Sequence, residues 1–115
     1  MLSMVEERIK INDFKKLDLR VGKIAGVEEH PNAFKLFILK VDFGKEIGER
    51  TIVAGLRSYY KKEELEGKEA VFVVNLEPVV LRGVKSDGMI LAVNSGNGYA
   101  ILIPEKDVNV GSKVR

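Results

Sequence analysis

The stretch Asn75-Leu-Glu-Pro-Val-Val-Leu-Arg-Gly-Val-Lys-Ser-Asp-Gly-Met-Ile-Leu-Ala92 decides how the rest of the chain is read. The apolar run Ala70-Val-Phe-Val-Val74 leads into it, and a second run, Met89-Ile-Leu-Ala-Val93, leaves it. Between them lie a proline, two glycines, an arginine, a lysine, a serine and an asparagine. Two β-rich runs joined by polar, Gly-punctuated sequence predict two strands with an exposed loop. Loops held on a rigid frame are where binding groups collect.

Working outward, Lys68 to Val74 reads as a fourth strand and Met89 to Val93 as a fifth. Upstream, Asp18 to Glu29 predicts a long first strand with Leu19, Val21, Ala25 and Val27 on one face. Arg20, Gly22, Gly26 and Glu28 fall on the other face. Its two glycines signal a bend, a bulge or close backbone approach. His30-Pro-Asn-Ala33 is a turn. Phe34 to Phe43 predicts a central second strand, apolar on both faces. Gly44 to Gly48 is a hairpin loop, and Arg50 to Leu56 the third strand. Ser58 to Glu66 fits a short helix, with Ser58 as N-cap and Gly67 just past its end. Its lysines precede its glutamates, so packing of Tyr60 and Leu65 is expected to hold it. Asn12 or Asp13 is expected to cap a helical turn through Leu17, with Phe14 and Leu17 inward. Downstream, Asn94 to Gly98 is a turn and Tyr99 to Ile103 a further strand, followed by a tail containing Val108, Val110 and Val114.

Five strands with a helix between the third and fourth is the plan of an all-β, five-stranded OB-fold barrel, here with a C-terminal β extension. An SH3-like barrel or a β-sandwich is the competing plan. The expected organisation is an N-terminal tail, residues 1–10, and one domain, residues 11–115. Met1, Leu2, Met4 and Val5 read as a loose terminus or a partner-facing segment.

With 115 residues, 45% hydrophobic and 31% charged, the chain has the composition of one soluble globular domain. It has no cysteine, hence no disulfide or thiolate metal site. No apolar run reaches the ~20 residues that span a bilayer. The N-terminus turns acidic too early for a signal peptide, so a cytoplasmic protein is expected. The net charge of +2 is too small to announce a nucleic-acid partner, so a site for one requires local clustering.

Catalysis finds little support. His30, the one histidine, sits in a turn. No nucleophile–base–acid set, Walker loop or dinucleotide fingerprint is present, and no catalytic residue, metal or cofactor is expected. Glu63, Glu64 and Glu66 read as a solvated helix face. Binding is better supported, because OB-folds hold nucleic acid with cationic grooves, stacking side chains and clamping loops. The candidates are Lys35, Arg57, Tyr59, Asn75, Arg82, Lys85, Ser86 and Met89. Arg82 and Lys85 suit phosphates, Asn75 and Ser86 supply hydrogen bonds, and Met89 supplies an adaptable apolar contact. The plainer alternatives stay open: solvated charges at Arg82 and Lys85, a core Met89, and a Tyr59 that anchors the helix.

Six groups of residues resemble one family. They are Asp18-Leu-Arg-Val-Gly-Lys-Ile24; His30-Pro-Asn-Ala33 with Lys35-Leu36; Val41-Asp42 with Gly44; Arg50-Thr-Ile-Val-Ala-Gly-Leu56; Asn75-Leu76; and Arg82-Gly-Val-Lys-Ser-Asp-Gly-Met89. The family is the tRNA-binding OB-fold domain at the C-terminus of many methionyl-tRNA synthetases. It also occurs as free-standing structure-specific tRNA-binding proteins and in relatives of the endothelial-monocyte-activating polypeptide. The resemblance covers about residues 11 to 115. It implies a homodimer that binds tRNA by shape at the outer corner of the L, has no catalysis of its own, and serves methionyl-tRNA synthetase. It carries Lys35, Asn75, Arg82, Ser86 and Met89 over as RNA contacts; Lys85 is an electrostatic addition. Phe34 departs from the family, whose members often have Asp there. So do Val79 and Val80, where many members have basic residues. Met1 standing just ahead of the domain suits a free-standing protein. A chaperone-like dimeric barrel linked to secretion, binding peptides along Phe34, Phe37, Val79 and Val80, is the alternative.

Overall fold

The computed structural model describes residues 7–115; the expectations for Met1, Leu2, Met4 and Val5 fall outside the described residues. The organising strand is β1 (Leu19–Glu29). It pairs antiparallel with β2 (Phe37–Asp42) on one edge and β4 (Glu69–Val73) on the other. β2 pairs in turn with β3 (Glu49–Ala54), and β4 with β7 (Met89–Ile90). The outermost strands then approach each other. The Asp87 N–H donates to the Thr51 carbonyl at 2.8 Å, and the Val53 N–H to the Ser86 hydroxyl at 2.9 Å. The result is a nearly closed five-strand antiparallel barrel. The single helical turn α2 (Lys62–Leu65) lies between β3 and β4, as the OB-fold reading expected.

The core runs through Ile24, Val27, Leu39, Val41, Phe43, Ile52, Leu65 and Phe72, all buried. The expected alternation along β1 is corrected by a bulge. The register against β2 shifts between Ile24 and Gly26, and Ala25 is exposed rather than inward. The extra residue flips the parity, so Ile24 and Val27 share the core face. Before the bulge that face carries Gly22 rather than Val21. A Cβ at Gly22 would lie 2.6 Å from Phe43 Cε1 and 2.6 Å from Val41 Cγ1. The missing side chain lets Phe43 meet Phe72 edge to face, with centroids 5.3 Å apart. Leu19 and Val21 are buried on the opposite face, in the half of β1 that the C-terminal segment joins through β10 (Lys113–Val114).

Arg20, between Leu19 and Val21 on the face that carries Gly22, is buried in this half of β1 as well, and its charge is matched on three sides. Its guanidinium donates to Asp18 Oδ1 (2.7 Å), Glu46 Oε1 (2.9 Å) and the Gly111 carbonyl (3.1 Å). One side chain thus joins the start of β1, the Gly44–Gly48 loop and the tail. The hydrogen bond from Arg20 holds the Asp18 carboxyl below the usual carboxylate range, against the opposing effect of burial.

Other boundaries move for local reasons. β2 starts at Phe37, not Phe34, because the turn runs longer: the His30 N–H bonds the Leu36 carbonyl, and the Leu36 N–H the Ala33 carbonyl. Phe34 is 74% exposed on that turn. Ser58 does not cap α2. It lies in a turn in which the Tyr59 and Tyr60 N–H groups bond the Leu56 carbonyl. The helix opens at Lys62, and the Glu64 carboxylate accepts the Lys61 N–H at 2.7 Å. Gly67 follows at φ 87°, as expected. Leu65 is fully buried, worth ~1.5–3 kcal/mol, and the Tyr60 hydroxyl accepts the Ile101 N–H at 3.1 Å. α1 (Ile11–Phe14) has no side-chain cap from Asn12 or Asp13, and neither Phe14 nor Leu17 is buried. Both line an open cavity of about 630 Å³ with Val114 and Arg115. The predicted fifth strand divides at Leu91. Its N–H stays with the Val71 carbonyl while its own carbonyl accepts the Leu102 N–H. β8 (Ala92–Asn94) therefore leaves the barrel to pair with β9 (Tyr99–Ile101).

Candidate nucleic-acid interface

The stretch between β4 and β7 is a hairpin rather than a loop. Its arms are β5 (Val79–Leu81) and β6 (Val84–Ser86), paired Val79 to Ser86, Val80 to Lys85 and Leu81 to Val84. That register leaves two residues, Arg82 and Gly83, for the turn. Their φ angles are 52° and 91°, the doubly positive pattern that matches the twist of a two-residue hairpin. Gly83 adopts it freely. For Arg82 it costs on the order of 1 kcal/mol, and it leaves an exposed arginine at the hairpin tip.

Two anchors brace the hairpin. At its base Ser86 is only 3% exposed. Its hydroxyl accepts the Val53 N–H and reaches the Gly88 carbonyl at 3.3 Å, so it stands in for a backbone acceptor where β3 and the hairpin close the barrel. At the tip, buried His30 donates from Nε2 to the Leu81 carbonyl at 3.0 Å. Its Nδ1 accepts the Asn32 N–H at 3.0 Å, which fixes one neutral tautomer. The turn residue of the sequence reading is therefore also a tether; a histidine next to a proline carried no sign of its distant partner.

The remaining candidates separate. Asn75 clamps the chain upstream of β1: its Oδ1 accepts the Asp18 N–H at 2.8 Å and its Nδ2 donates to the Lys16 carbonyl at 2.7 Å. Its best hydrogen-bonding groups are thus engaged within the chain. Lys35 is exposed on the turn after β1, with its carbonyl accepting the Arg57 N–H at 3.3 Å. Arg57 pairs with Glu29 at 3.1 Å. Because His30 holds Leu81, Lys35 and Arg82 gather at the same end of β1, whereas Asn75 sits at the other. Lys85 is exposed on β6 and edges a groove with Lys40 and Arg50, but Glu28, Glu49 and Asp87 line it too. Met89 is not core; it is 50% exposed. It lines a cleft of about 350 Å³ with Leu56 and Tyr99. Tyr99 was not singled out by the sequence, and it packs edge-on against Tyr59 with centroids 5.4 Å apart. Of the proposed peptide-binding residues, Phe37 lies in the core, while Phe34, Val79 and Val80 are exposed.

Among the described residues no three His, Cys, Asp or Glu side chains converge to hold a metal, and no helix is long and apolar enough to cross a membrane. The chain is 59% identical over 109 residues to a methionine–tRNA ligase of Pyrococcus horikoshii, covering 95% of this chain but 15% of that protein. It thus spans about one-seventh of the length of that ligase. Its fold superposes on a crystal structure of a MetRS-related protein from Pyrococcus horikoshii with a TM-score of 0.88 and 38% identity, over 96% of this chain and 100% of the other. It also superposes on the CsaA chaperone protein of Picrophilus torridus with a TM-score of 0.87 and 35% identity, over 94% and 100%. Residues 19–113 match the family described as "Putative tRNA binding domain", which takes in the barrel, the braced hairpin and the first residue of β10; the chain belongs to that family.

Proposed function

We propose that this chain is a non-catalytic module that binds tRNA by its folded shape, acts as a homodimer, and serves a cytoplasmic methionyl-tRNA synthetase as an appended domain or a separate subunit. The observation that carries this reading is the Arg82-Gly83 turn, where a strained backbone and two anchors present a cation at a fixed place. Lys35, Arg82, Lys85 and Met89 are the direct contacts. Asn75 and Ser86 act at one remove, by holding the hairpin and the start of β1. Val79 and Val80 replace cations, so fewer phosphates are neutralised and the salt dependence is shallower than full basic loops would give. Dimerisation is supported by the open cavity around Ile11, Phe14, Leu17 and Val114, which residues 1–10 of a second copy would help to fill. A sedimentation mass of one chain would remove the dimer from this reading. The binding test is a filter titration with folded tRNA, unstructured RNA and duplex DNA across a salt series. Tighter binding to folded tRNA is expected; equal binding to all three would sink the proposal.

A second reading, a chaperone-like peptide binder, is favoured by the likeness to the CsaA chaperone and by exposed Phe34, Val79 and Val80. The same titration with an unfolded peptide added as a further ligand separates them, since that reading expects binding of the peptide and none of tRNA.

A further inference from the structure

The seam between β3 and β7 is hydrogen-bonded at one end only. Ser86 and Asp87 span it at Val53 and Thr51. Past Val53, no hydrogen bond among the described residues crosses it. β3 gives its other edge to β2, and β7 its other edge to β4. Strand hydrogen bonds alternate from side to side, so the Val53 carbonyl and the backbone groups of Ile90 turn toward the gap. That gap is the cleft of about 350 Å³ lined by Val53, Gly55, Leu56, Met89, Ala92 and Tyr99.

Its chemistry is uneven in a way that selects a ligand. The walls are apolar and polarizable: the half-exposed Met89 thioether and the Tyr99 ring, backed by Tyr59. The floor offers backbone donors and acceptors. Arg57 follows Leu56 in the chain, and its N–H holds the Lys35 carbonyl; both residues therefore adjoin one end of the cleft, Lys35 exposed and Arg57 paired with Glu29. Flat apolar faces, an edge of donors and acceptors and a neighbouring negative charge describe a nucleobase with its phosphate. At about 350 Å³ the cleft is at the small end of ligand sites, enough for one ring system.

We propose that this cleft receives one unstacked base of the bound RNA, with its ring against Met89 and Tyr99 and its edge on the β3 and β7 backbone. This rests on the tRNA-binding reading above and adds a subsite to it. Bare strand edges also suit an added peptide strand. However, β7 is only two residues long, which leaves such a strand too few ladder bonds, and a peptide backbone makes no use of Lys35 and Arg57.

The test uses the full chain and folded tRNAs carrying one abasic substitution at a time through the unpaired positions. Wild-type protein is expected to lose about 5- to 150-fold in affinity at one position, the worth of one stacked base. Tyr99→Ala is expected to lose a similar factor on intact tRNA and nothing further on that abasic tRNA, while Tyr99→Phe keeps the ring and the affinity. A 2-aminopurine placed at the sensitive position should be quenched on binding wild-type protein, a readout that needs no variant. If tRNA binds but every abasic form binds equally and Tyr99→Ala is silent, the subsite is wrong while the tRNA reading stands. If no tRNA binds, both fail. Displacement of an extended peptide from the cleft with no effect on tRNA would assign the cleft to peptide.

Discussion

Replacing Ser86 with alanine removes one oxygen atom from the place where the barrel closes. In the native seam that oxygen takes the Val53 N–H at 2.9 Å, in a site only 3% exposed. Alanine leaves the amide without its acceptor in a site largely closed to water. A buried donor left unsatisfied costs about 1–3 kcal/mol; the longer bond to the Gly88 carbonyl, at 3.3 Å, adds little. With a guanidinium m-value of about 3 kcal/mol per molar, a 2 kcal/mol loss lowers the midpoint by about 0.7 M. The assay is guanidinium denaturation followed by circular dichroism, with tRNA affinity measured on the folded variant. Amide hydrogen exchange adds a local readout, because Val53 should lose protection ahead of its neighbours on β2 and β3. An unchanged midpoint with reduced affinity would refute the reasoning, since the hydroxyl would then serve RNA directly, as the sequence alone suggested.

Gly22→Ala places a methyl 2.6 Å from both Phe43 and Val41, so a loss of about 1–3 kcal/mol is expected; an unchanged denaturation midpoint would show that Phe43 can yield. Arg82→Gly relieves the turn, so stability should stay level or rise by up to about 1 kcal/mol. Affinity for tRNA should fall, with the salt slope shallower by a little under one; unchanged affinity would place the RNA elsewhere. The Asp18 carboxyl sits below its ordinary value of 3.8 because Arg20 donates to it. A depressed carboxyl contributes stability above that value and loses it as the pH falls through the folded value. Asp18→Asn should therefore be less stable than wild type at neutral pH, and the difference should close as the pH drops below 3.8. A constant difference across that window would separate Asp18 from the acid sensitivity.

Strand order and the position of the helix were legible because apolar runs and turn residues mark them locally. The face of β1 was not. A glycine has no side chain to declare a side, so Gly22 was placed outward when its emptiness is what admits Phe43. The two glycines signalled a bend, a bulge or close backbone approach, but not that Ala25 would be the residue expelled. The hairpin escaped notice because its turn carries arginine where asparagine, aspartate or glycine is the usual sign. Ser86 and Asn75 show the corresponding limit at the site. Residue type reveals a donor or an acceptor, but only the fold reveals that Val53, Asp18 and Lys16 have already claimed them. Met89 and Tyr99 come together across the divided strand at Leu91, a break no local pattern predicts.

β1 also sets a distance. At ~3.3 Å per residue its eleven residues extend over roughly 30 Å. Val114 pairs with Leu19 at one end, and the His30 tether to the Arg82 turn lies just past the other. The described part of the chain therefore has a handle at one end and the Arg82 turn at the other. Anything fused beyond residue 115, or leading into α1, attaches at the handle and leaves Lys35 and Arg82 unobstructed. Lever-like, a small tilt at the attachment sweeps the tip through a much larger arc. Linker stiffness at that junction, rather than any change in the barrel, would then govern how far from its attachment point this domain can reach.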